Sequence, residues 1–504
     1  MHNSKKDNDI ISALPAFWFV IFLWIYALGW AWIGYPIYRD QHIGTAIQYA
    51  DKGIDFLRPV IAGFNATGSG TPQELPIWQA LASIAIRSFG GWWGGATIVS
   101  LVLFTACLPI FYRTVAKEAG HAAAGLATVL LVAQPIVFQL AGGAQTDGFS
   151  LALLIAFTWS ADWLRRQPSP ASLAFCALLA ALLAVTKLPF LMAGGFAAGL
   201  VLFWQKGSAK SWMLLALAGV VAALAFLPWT MWCDAEIGRA VFKYRPMTIS
   251  ESPEWFFGTL AFRLDPSNYI KAGWRALSCL WGSFALVGLT LYGVWLRPRS
   301  LGMALLLGAL ATTLIFTKLV LVHRHYYLMF APAVAMLNAY ALGDLLRRFG
   351  QLSIRQNFVA AGSISALLLL ALVQGLVSIE ALVADGFMKR SGDIVREHTM
   401  PSEKLMVING GWGGDLLIHA ERQGLSADDT KLLEHHDTRR QLLDLGYTKV
   451  VFASQSPILY ALQASNPGSS ISERIHWSSF LGPEATAWPT VFESDDVLIK
   501  MIPR

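Results

Sequence analysis

Charged residues are scarce in this chain. Only 14% of its 504 residues are Asp, Glu, Lys or Arg, and 55% are hydrophobic, whereas a soluble domain is usually about one-quarter charged. This composition excludes an ordinary soluble domain and indicates a polytopic membrane protein. The net charge of +6 does not indicate nucleic acid, because cytoplasmic membrane loops also carry an excess of Lys and Arg. We therefore expect membrane lipids as partners and no nucleic acid.

Cysteine is rare as well. Cys107, Cys176, Cys233 and Cys279 lie in or at the ends of apolar runs and form no CxxC pair. This favours small core residues over a disulfide framework or a metal site. The chain also lacks a nucleotide-binding loop, since "NGGWGGD" at 409–415 does not match GxGxxG. No small-residue cleavage site ends the first apolar run, so we expect an uncleaved anchor.

Long apolar stretches are abundant. A spanning helix needs about 20 apolar residues, and the pattern predicts a polytopic α-helical membrane protein with about 11 transmembrane helices. Between the fifth and sixth helices, "VTKLPF" with Lys187 and Pro189 predicts a tight hairpin. The candidate spans are 13–34, 93–112, 121–140, 147–164, 171–187, 188–205, 211–232, 274–296, 301–321, 325–345 and 357–382.

Lys and Arg are distributed unevenly over the predicted loops. With the N-terminus inside, every cytoplasmic segment, from "SKKDN" to "RRFGQLSIRQ", carries at least two of them. The opposite turns at 141–146 and 186–189 carry almost none. The positive-inside rule then places three larger segments outside: 35–92, 233–273 and the tail from about 385.

The outer segments have their own patterns. In the first, "DQHIGTAIQYADKG" and "ELPIWQALASIAIRSFG" predict two interface helices. Their apolar faces comprise Ile43, Ala46 and Ile47 in the first helix, and Ile77, Trp78, Leu81 and Ile84 in the second. The tail combines strand patterns ("KLMVI", "KVVFAS", "DVLIKMI") with helical ones ("GDLLIHAERQG", "TRRQLLDLG").

We accordingly expect two domains. Residues 1–384 form a transmembrane domain, which includes the outer loops at 35–92 and 233–273. Residues 385–504 form a small C-terminal α/β domain outside the membrane, of a size within the usual range for a domain.

Ionisable residues recur at the predicted outer ends of the spans. Asp40 follows the first span, Glu74 lies in the first outer loop, and Asp147 opens the fourth span. Lys318 and the run "HRHYY" at 323–327 lie near the start of the tenth span. A facing cluster of such groups favours a functional site. Carboxylates act as general bases, and Lys and Arg bind phosphate, so the set indicates group transfer from a phosphorylated membrane lipid.

Each of these residues also has a structural alternative. Asp40 fits a solvated loop residue, Asp147 a helix cap, and Glu74 a capping box with Thr71. Lysines at span ends fit snorkelling side chains, and the 323–327 run fits an interfacial anchor. The occurrence of the whole set on one predicted side favours function over these alternatives.

Four segments resemble the GT-C membrane glycosyltransferases, within the protein mannosyltransferase and aminoarabinose transferase superfamily. They are "YRDQHIGTAIQYADKGIDFLRP" after the first span, "TPQELPIWQALASIAIRSFG" at the second interface helix, "AQTDGFSLALL" at the fourth span and "HRHYYLMFAPAVAMLNAYAL" at the tenth. The tail segment from "GWGGDLLIHAERQGL" to "LLDLGYTKVVFAS" also resembles the periplasmic domain of some members. The order and spacing of these segments carry the resemblance.

The resemblance implies an inverting glycosyltransferase of the bacterial inner membrane, with its active site and C-terminal domain in the periplasm. Its donor would be a polyprenyl-phosphate-linked sugar, and its acceptor a hydroxyl of a glycan, a lipid or a protein. Asp40 and Asp147 are the implied catalytic residues, with Asp40 as the general base. The implied donor and acceptor pocket comprises Glu74, His42, His323, His325, Tyr326 and Tyr327, and the implied phosphate contacts are Arg58, Lys187, Lys318 and Arg324.

A cofactor is less clearly implied. This chain has Arg-Asp-Gln at 39–41 where many relatives have a pair of acids, so no metal ligand is assigned. A divalent cation held by Asp40 and a histidine remains an open alternative.

A transporter or flippase of lipid or sugar is the alternative function. Transporters often show inverted repeats and charges near the membrane midplane. The sequence shows no internal repeat, and its acidic residues lie at the predicted outer surface. A non-catalytic scaffold of the same fold is a third hypothesis, against which the presence of Asp40 and Asp147 argues.

Overall fold

The computed structural model describes residues 3–32, 40–57, 59, 74–239, 248–349, 369, 373, 387–408, 415–427, 435–453, 486–494 and 497–503. The chain divides into two compact units. The first, here the membrane unit, comprises Met1–Ile37, Ser88–Met231 and Thr248–Leu382. The second unit comprises Tyr38–Arg87, Trp232–Met247 and Val383–Arg504. The first outer loop thus groups with the C-terminal part of the chain rather than with the membrane unit.

Helices account for nearly all of the structure before residue 350. A π-helix (Leu277–Trp281) follows α12, and a 3₁₀ helix (Arg324–Phe330) precedes α16. In chain order the α-helices are α1 (Asn3–Trp32), α2 (Asp40–Lys52), α3 (Ile77–Ser88), α4 (Gly94–Ala119), α5 (His121–Ala133), α6 (Pro135–Leu140), α7 (Thr146–Arg166), α8 (Pro170–Trp204), α9 (Ala209–Arg239), α10 (Pro253–Phe257), α11 (Leu260–Leu264), α12 (Pro266–Ala276), α13 (Phe284–Leu296), α14 (Leu301–Ile315), α15 (Thr317–Val322) and α16 (Ala331–Phe349).

Several helices are suited to a bilayer. Among the described residues, four helical stretches are long and apolar enough to cross a membrane by length and composition: Gly94–Ala119, Pro170–Trp204, Ala209–Arg239 and Arg324–Arg348. The second of these contains a non-helical residue, Lys187. The pair Pro266–Trp281 and Phe284–Leu296, bent by 87°, is a fifth candidate. The chain is therefore a membrane protein. The number of about 11 spans stays a prediction, and the last predicted span, 357–382, falls almost wholly outside the described residues.

Three predicted spans are wrong as single helices, because the backbone leaves the helical region inside each. The 121–140 stretch breaks at Gln134 (φ −61°, ψ 132°), since the ring of Pro135 disfavours helical geometry in the preceding residue. The 274–296 stretch breaks at Gly282, whose φ of 68° suits glycine. The 301–321 stretch breaks at Phe316 (φ −91°, ψ 52°).

The predicted hairpin at Lys187 is confirmed. Lys187 has non-helical φ and ψ of −156° and 83° within α8. Its Nζ lies 2.7 Å from Oδ1 of Asp147, at the start of α7. Ser211, beyond the end of α8, approaches the carbonyl of Arg165 with its Oγ at 3.4 Å, at the end of α7. Both ends of α8 are therefore near the end of α7 while its middle is near the start, so the chain reverses at Lys187.

Close packing of α13 against α16 depends on a glycine. A Cβ atom at Gly293 would lie 2.1 Å from the carbonyl oxygen of Leu337 and 3.0 Å from its Cα. Small residues allow backbones to approach in this way in membrane helix pairs. On the same helix, a Cβ at Gly288 would have nothing within 4 Å.

The C-terminal part of the second unit is a mixed sheet with helices. Its strands are β1 (Lys404–Ile408), β2 (Gln423–Ala427), β3 (Tyr447–Ala453), β4 (Thr490–Glu493) and β5 (Val497–Met501), in the order β2-β1-β3-β5-β4. β1 pairs in parallel with β2 and β3, whereas β5 pairs antiparallel with β3 and β4. Its described helices are α17 (Phe387–Glu397), α18 (Asp415–His419) and α19 (His436–Asp444).

Alternation along these strands builds two apolar layers. Met406 and Val450, neighbours in the β1–β3 register, lie in one buried cluster with Leu442 of α19. Val407 and Val451 lie in the other cluster. The strands predicted from "KLMVI", "KVVFAS" and "DVLIKMI" are present. The helix predicted over 414–424 is wrong in its second half, because residues from Gln423 onward form β2.

The two helices predicted in the first outer loop are present as α2 and α3, and their location at a membrane interface stays a prediction. Ile43 and Ala46 of α2 are fully buried. In the predicted apolar face of α3, Trp78 is 0% exposed, whereas Ile84 is 56% exposed. The packed face of α3 is Trp78, Ala82 and Ile86, which follow the four-residue helical repeat.

Candidate functional site

A buried ion pair opens the candidate site in the membrane unit. Lys187 Nζ lies 2.7 Å from Oδ1 of Asp147, and both side chains are almost fully enclosed. Asp147 lies in the first turn of α7, where the helix dipole favours a negative charge. The N-cap of this helix is Gln145, so the capping alternative for Asp147 is wrong. The snorkelling alternative for Lys187 is also wrong, because its ammonium group points at a buried carboxylate.

A close backbone contact positions the first turn of α7. A Cβ atom at Gly148 would lie 2.9 Å from both the Cα and the carbonyl oxygen of Ala141. The glycine next to Asp147 therefore lets the first turn of α7 pack on the loop that precedes it. This contact sets the position of the Asp147 carboxylate relative to Lys187.

Aromatic rings continue from the ion pair towards the surface. Lys187 Nζ lies 5.7 Å from the ring centroid of Tyr326, within the range of a cation–π contact. The rings of Tyr326 and His325 are 4.3 Å apart, and those of His325 and His323 are 5.3 Å apart. His325 and Tyr326 are each 9% exposed, whereas His323 is half-buried.

Lys318 ends this run of contacts. The ring of Trp255 lies 5.4 Å from that of His323, and Lys318 Nζ lies 5.2 Å from the Trp255 ring centroid. Phe262 contributes a second face, 5.9 Å from Lys318 Nζ. We name the contiguous set Asp147, Lys187, Tyr326, His325, His323, Trp255 and Lys318 the polar cluster. Its inner end is a neutralised ion pair, and its outer end carries half-buried cationic and imidazole groups.

Two arginines near the cluster, Arg263 of the second predicted outer loop and Arg275 at the start of the next predicted span, bind carbonyl groups around α15. Arg263 donates to the carbonyl oxygens of Phe257 (2.8 Å) and Ile315 (2.9 Å). Arg275 donates to the carbonyl oxygen of Leu321 at 2.6 Å. Ile315 lies just before α15 and Leu321 lies within it. Lys318 is also a residue of α15. These charge-assisted hydrogen bonds tie α15 to the segment that supplies Trp255.

Two predicted residues of the 323–327 run lie outside the cluster. Tyr327 is buried and donates to the carbonyl oxygen of Ala272 at 3.3 Å, so its role in a pocket stays a prediction. Arg324 is half-buried at the start of the 3₁₀ helix, next to His323. It is therefore a neighbour of the outer end of the cluster.

A second group of predicted residues lies in the second unit. His42 Nε2 is 3.6 Å from Oε2 of Glu74, and the rings of His42 and Trp78 are 6.3 Å apart. Because α3 begins at Ile77, Glu74 is not in its first turn, and the capping-box alternative is wrong. The pair joins the start of α2 to the segment that leads into α3.

The far end of α2 is also tied to α3. Arg87 donates through Nη2 to the carbonyl oxygens of Tyr49 (3.1 Å) and Ala50 (2.6 Å), in the last turn of α2, where backbone carbonyls commonly lack intrahelical partners. The Tyr49 hydroxyl donates to the carbonyl oxygen of Asp55. Burial, with a smaller contribution from the Asp55 charge, raises the pKa of Tyr49 well above its ordinary value.

The side chains of Asp40 and Arg58 lie outside the described residues, although the backbone of Asp40 begins α2. The predicted residues thus fall in two units, with Asp147, Lys187, Lys318 and the 323–327 run in the membrane unit. A single shared site stays a prediction. Among the described residues no group of three or more His, Cys, Asp or Glu side chains could hold a metal ion.

Sequence reasoning missed Trp255, which links Lys318 to His323. The chain contains 20 Trp residues, so one more in a loop carries no signal. The run "SPEWFF" could have indicated it, because three aromatics directly after a helix-starting Ser-Pro-Glu are unusual in a solvated loop.

Sequence comparison alone finds no relatives, since neither a protein-family pattern nor a curated protein matches the chain. Solved structures do match. ArnT from Cupriavidus metallidurans bound to undecaprenyl phosphate superposes with a TM-score of 0.60 at 12% identity, covering 96% of this chain and 98% of that one. The same protein in its apo state gives a TM-score of 0.56 at 13% identity.

The archaeal oligosaccharyltransferase AglB from Archaeoglobus fulgidus, in complex with an inhibitory peptide and a dolichol-phosphate, is also similar. It gives a TM-score of 0.54 at 13% identity, covering 89% of this chain and 70% of AglB. Both proteins are GT-C structures, so the fold predicted from the sequence motifs is confirmed. The chain has the GT-C membrane fold over almost its whole length.

Proposed function

We propose that the protein is a glycosyltransferase that moves a sugar from a polyprenyl-phosphate donor to an acceptor hydroxyl. The observation that carries this proposal is the polar cluster, a built set of cations and imidazoles at the end of membrane helices, in a chain of GT-C fold. Two structures of similar fold were solved with a lipid phosphate, undecaprenyl phosphate in ArnT and a dolichol-phosphate in AglB. A lipid-phosphate ligand suits a site of this composition.

The charges of the cluster suggest separate roles for its two ends. Lys187 is neutralised by Asp147 at 2.7 Å, so the pair brings little net positive charge. The less enclosed groups, Lys318, His323 and Arg324, are better suited to meet the phosphate of a lipid. We therefore assign the donor phosphate to this outer end, and assign the buried pair to holding Tyr326 and His325 in place.

The transfer step follows from these groups. The acceptor oxygen attacks the anomeric carbon of the sugar, and the bond between that carbon and the phosphate oxygen breaks. Its electron pair leaves with the polyprenyl phosphate, whose growing charge the cations stabilise. A carboxylate takes the proton of the acceptor hydroxyl, and we assign this role to Asp40. Attack from the face opposite the leaving group inverts the anomeric centre.

Release of free polyprenyl phosphate tests the proposal. Purified protein is mixed with a pool of polyprenyl-phosphate sugars and a membrane extract, beside Asp40→Asn and the matched control Asp51→Asn. Asp51 is an exposed carboxylate on the same helix. We expect release by the wild type and by Asp51→Asn, and none by Asp40→Asn. Full activity of Asp40→Asn would contradict the base assignment, and no release from any donor would favour a transporter.

The proposed location is the outer face of a bacterial inner membrane. Single cysteines at Gly68 and Thr430 should react with an impermeant maleimide added outside intact cells, whereas one at Lys210 should not. The four native cysteines are buried, which keeps the background low. Labelling of the cysteine at Lys210 from outside would contradict the predicted orientation of the chain in the membrane.

A further inference from the structure

The helix that begins at Asp40 contacts a helix of the C-terminal part of the chain. Residues 38–87 and 383–504 belong to one compact unit, and within it α2 contacts α18. α18 is the short helix between the parallel strands β1 and β2. The contact therefore joins the first outer loop to a helix that packs on the sheet.

The buried residues of α18 point in different directions. Leu416, Leu417 and Ala420 belong to the apolar cluster on one face of the sheet. His419 faces α17, because a Cβ at Gly392 would lie 2.4 Å from the Cβ of His419. Since successive helical residues are about 100° apart, Ile418 points about 150° away from the sheet-facing direction and about 100° away from His419.

Ile418 is nevertheless only 7% exposed. By these angles it points away from both the sheet and α17. Of the described elements outside the C-terminal sheet and its helices, α2 contacts α18. We propose that Ile418 is a positioning residue, which packs on α2 and sets the placement of the helix that begins at Asp40.

The remainder of α2 is held in a way that makes such a contact effective. Its far end is fixed by Arg87, and Ile43 and Ala46 are fully buried. The His42–Glu74 pair also holds the start of α2, so loss of the Ile418 contact would remove one of several supports and let Asp40 shift by a small distance. A misplacement of about 1 Å can cost a factor of about 100 in rate. The catalytic consequence rests on the proposed function, whereas the packing contact does not.

Amide hydrogen exchange of the full-length protein in detergent tests the contact directly. In Ile418→Ala we expect exchange over residues 40–52 to accelerate about tenfold, with no change over β3. The matched control is Leu442→Ala, which removes the same kind of side chain from the opposite face of the sheet. It should accelerate exchange over β3 and leave residues 40–52 unchanged. Ile418→Val should behave as the wild type does.

Kinetics test the consequence. Ile418→Ala should lower kcat for transfer about tenfold, with KM for the polyprenyl-phosphate donor within about twofold of the wild type, and Ile418→Val should restore kcat. Unchanged exchange over residues 40–52 in Ile418→Ala would overturn the positioning role. If the wild type shows no transfer at all, the proposed function fails, and the exchange result alone then decides whether Ile418 holds α2.

Discussion

Oδ1 of Asp147 lies 2.7 Å from Nζ of Lys187, and both side chains are almost fully enclosed. Forty positions separate the two residues along the chain, and the reversal of α8 at Lys187 brings them together. Burial of two charges is costly, and their attraction offsets that cost only while both are present. The pair therefore makes the start of α7 and the turn of α8 one structural element.

Removal of one partner should destabilise the protein strongly. Lys187→Gln leaves a buried carboxylate without its counter-charge, and we expect a loss of about 3–5 kcal/mol. Asp147→Asn should cost a similar amount. The double variant Asp147→Asn, Lys187→Gln should be more stable than either single variant, as measured by thermal unfolding in detergent. If the two losses simply add, the residues do not interact as an ion pair.

A glycine-to-alanine change on α13 should reveal where the membrane helices touch. In Gly293→Ala the new methyl group would meet the carbonyl oxygen of Leu337 at 2.1 Å, so the helices must separate, and we expect a loss of about 1–3 kcal/mol. Gly288→Ala is the matched control, because nothing lies within 4 Å of its Cβ. It should be neutral or slightly stabilising, since alanine favours the helix. Equal thermal midpoints for the two variants would contradict the packing of α13 on α16.

Much of the fold could be predicted because simple periodicities carry it. Long apolar runs locate the membrane helices, and short apolar runs locate β1, β3 and β5. β2 was missed because "QGLSA" lacks such a run, and its pairing is supplied by β1. The breaks at Gln134 and Phe316 were missed because hydropathy is blind to φ and ψ. Of these two, only Gln134 carries a local signal, in the proline that follows it.

The candidate site could likewise be predicted from the sequence only in part. Asp147 and Lys187 could be found because charges interrupt apolar runs. The "TKLP" turn also predicted that both residues lie at the same end of their helices. Their direct pairing could not be predicted, since it depends on how α7 and α8 pack. The different contacts of Tyr326 and Tyr327 could not be predicted either, because a sequence of adjacent aromatics does not reveal which ring faces the cluster. Three-dimensional packing alone distinguishes Tyr326 from Tyr327.

The C-terminal sheet should lose stability in acid through His419. Burial is the main cause that lowers the pKa of His419 from 6.5 to about 4, and the neighbouring Asp393 opposes this shift. Between pH 6.5 and 4 the unfolded chain therefore binds a proton that the folded domain does not, so stability is full above this window and falls as the pH decreases through it. We expect a loss on the order of 2 kcal/mol.

Hydrogen exchange over β1 and β3 at pH 7 and pH 4.5 measures this loss, after correction for the intrinsic pH dependence of exchange. His419→Gln removes the titrating group and should make the stability of the sheet less dependent on pH. A pH dependence identical to that of the wild type would assign the acid sensitivity to other groups.

Donor binding should depend on the outer end of the polar cluster. Lys318→Met keeps the apolar stem against Trp255 and Phe262 but removes the charge that we assign to the lipid phosphate. Charge-assisted hydrogen bonds contribute about 1.5–3 kcal/mol, so we expect the Kd for undecaprenyl phosphate to rise by at least about tenfold. Lys271→Met is the matched control, because Lys271 is an exposed lysine of the nearby α12, and it should bind as the wild type does. Equal affinities of the two variants would contradict the assignment of the lipid phosphate to Lys318. Loss of binding in Lys318→Met alone would support a phosphate site at that end of the cluster.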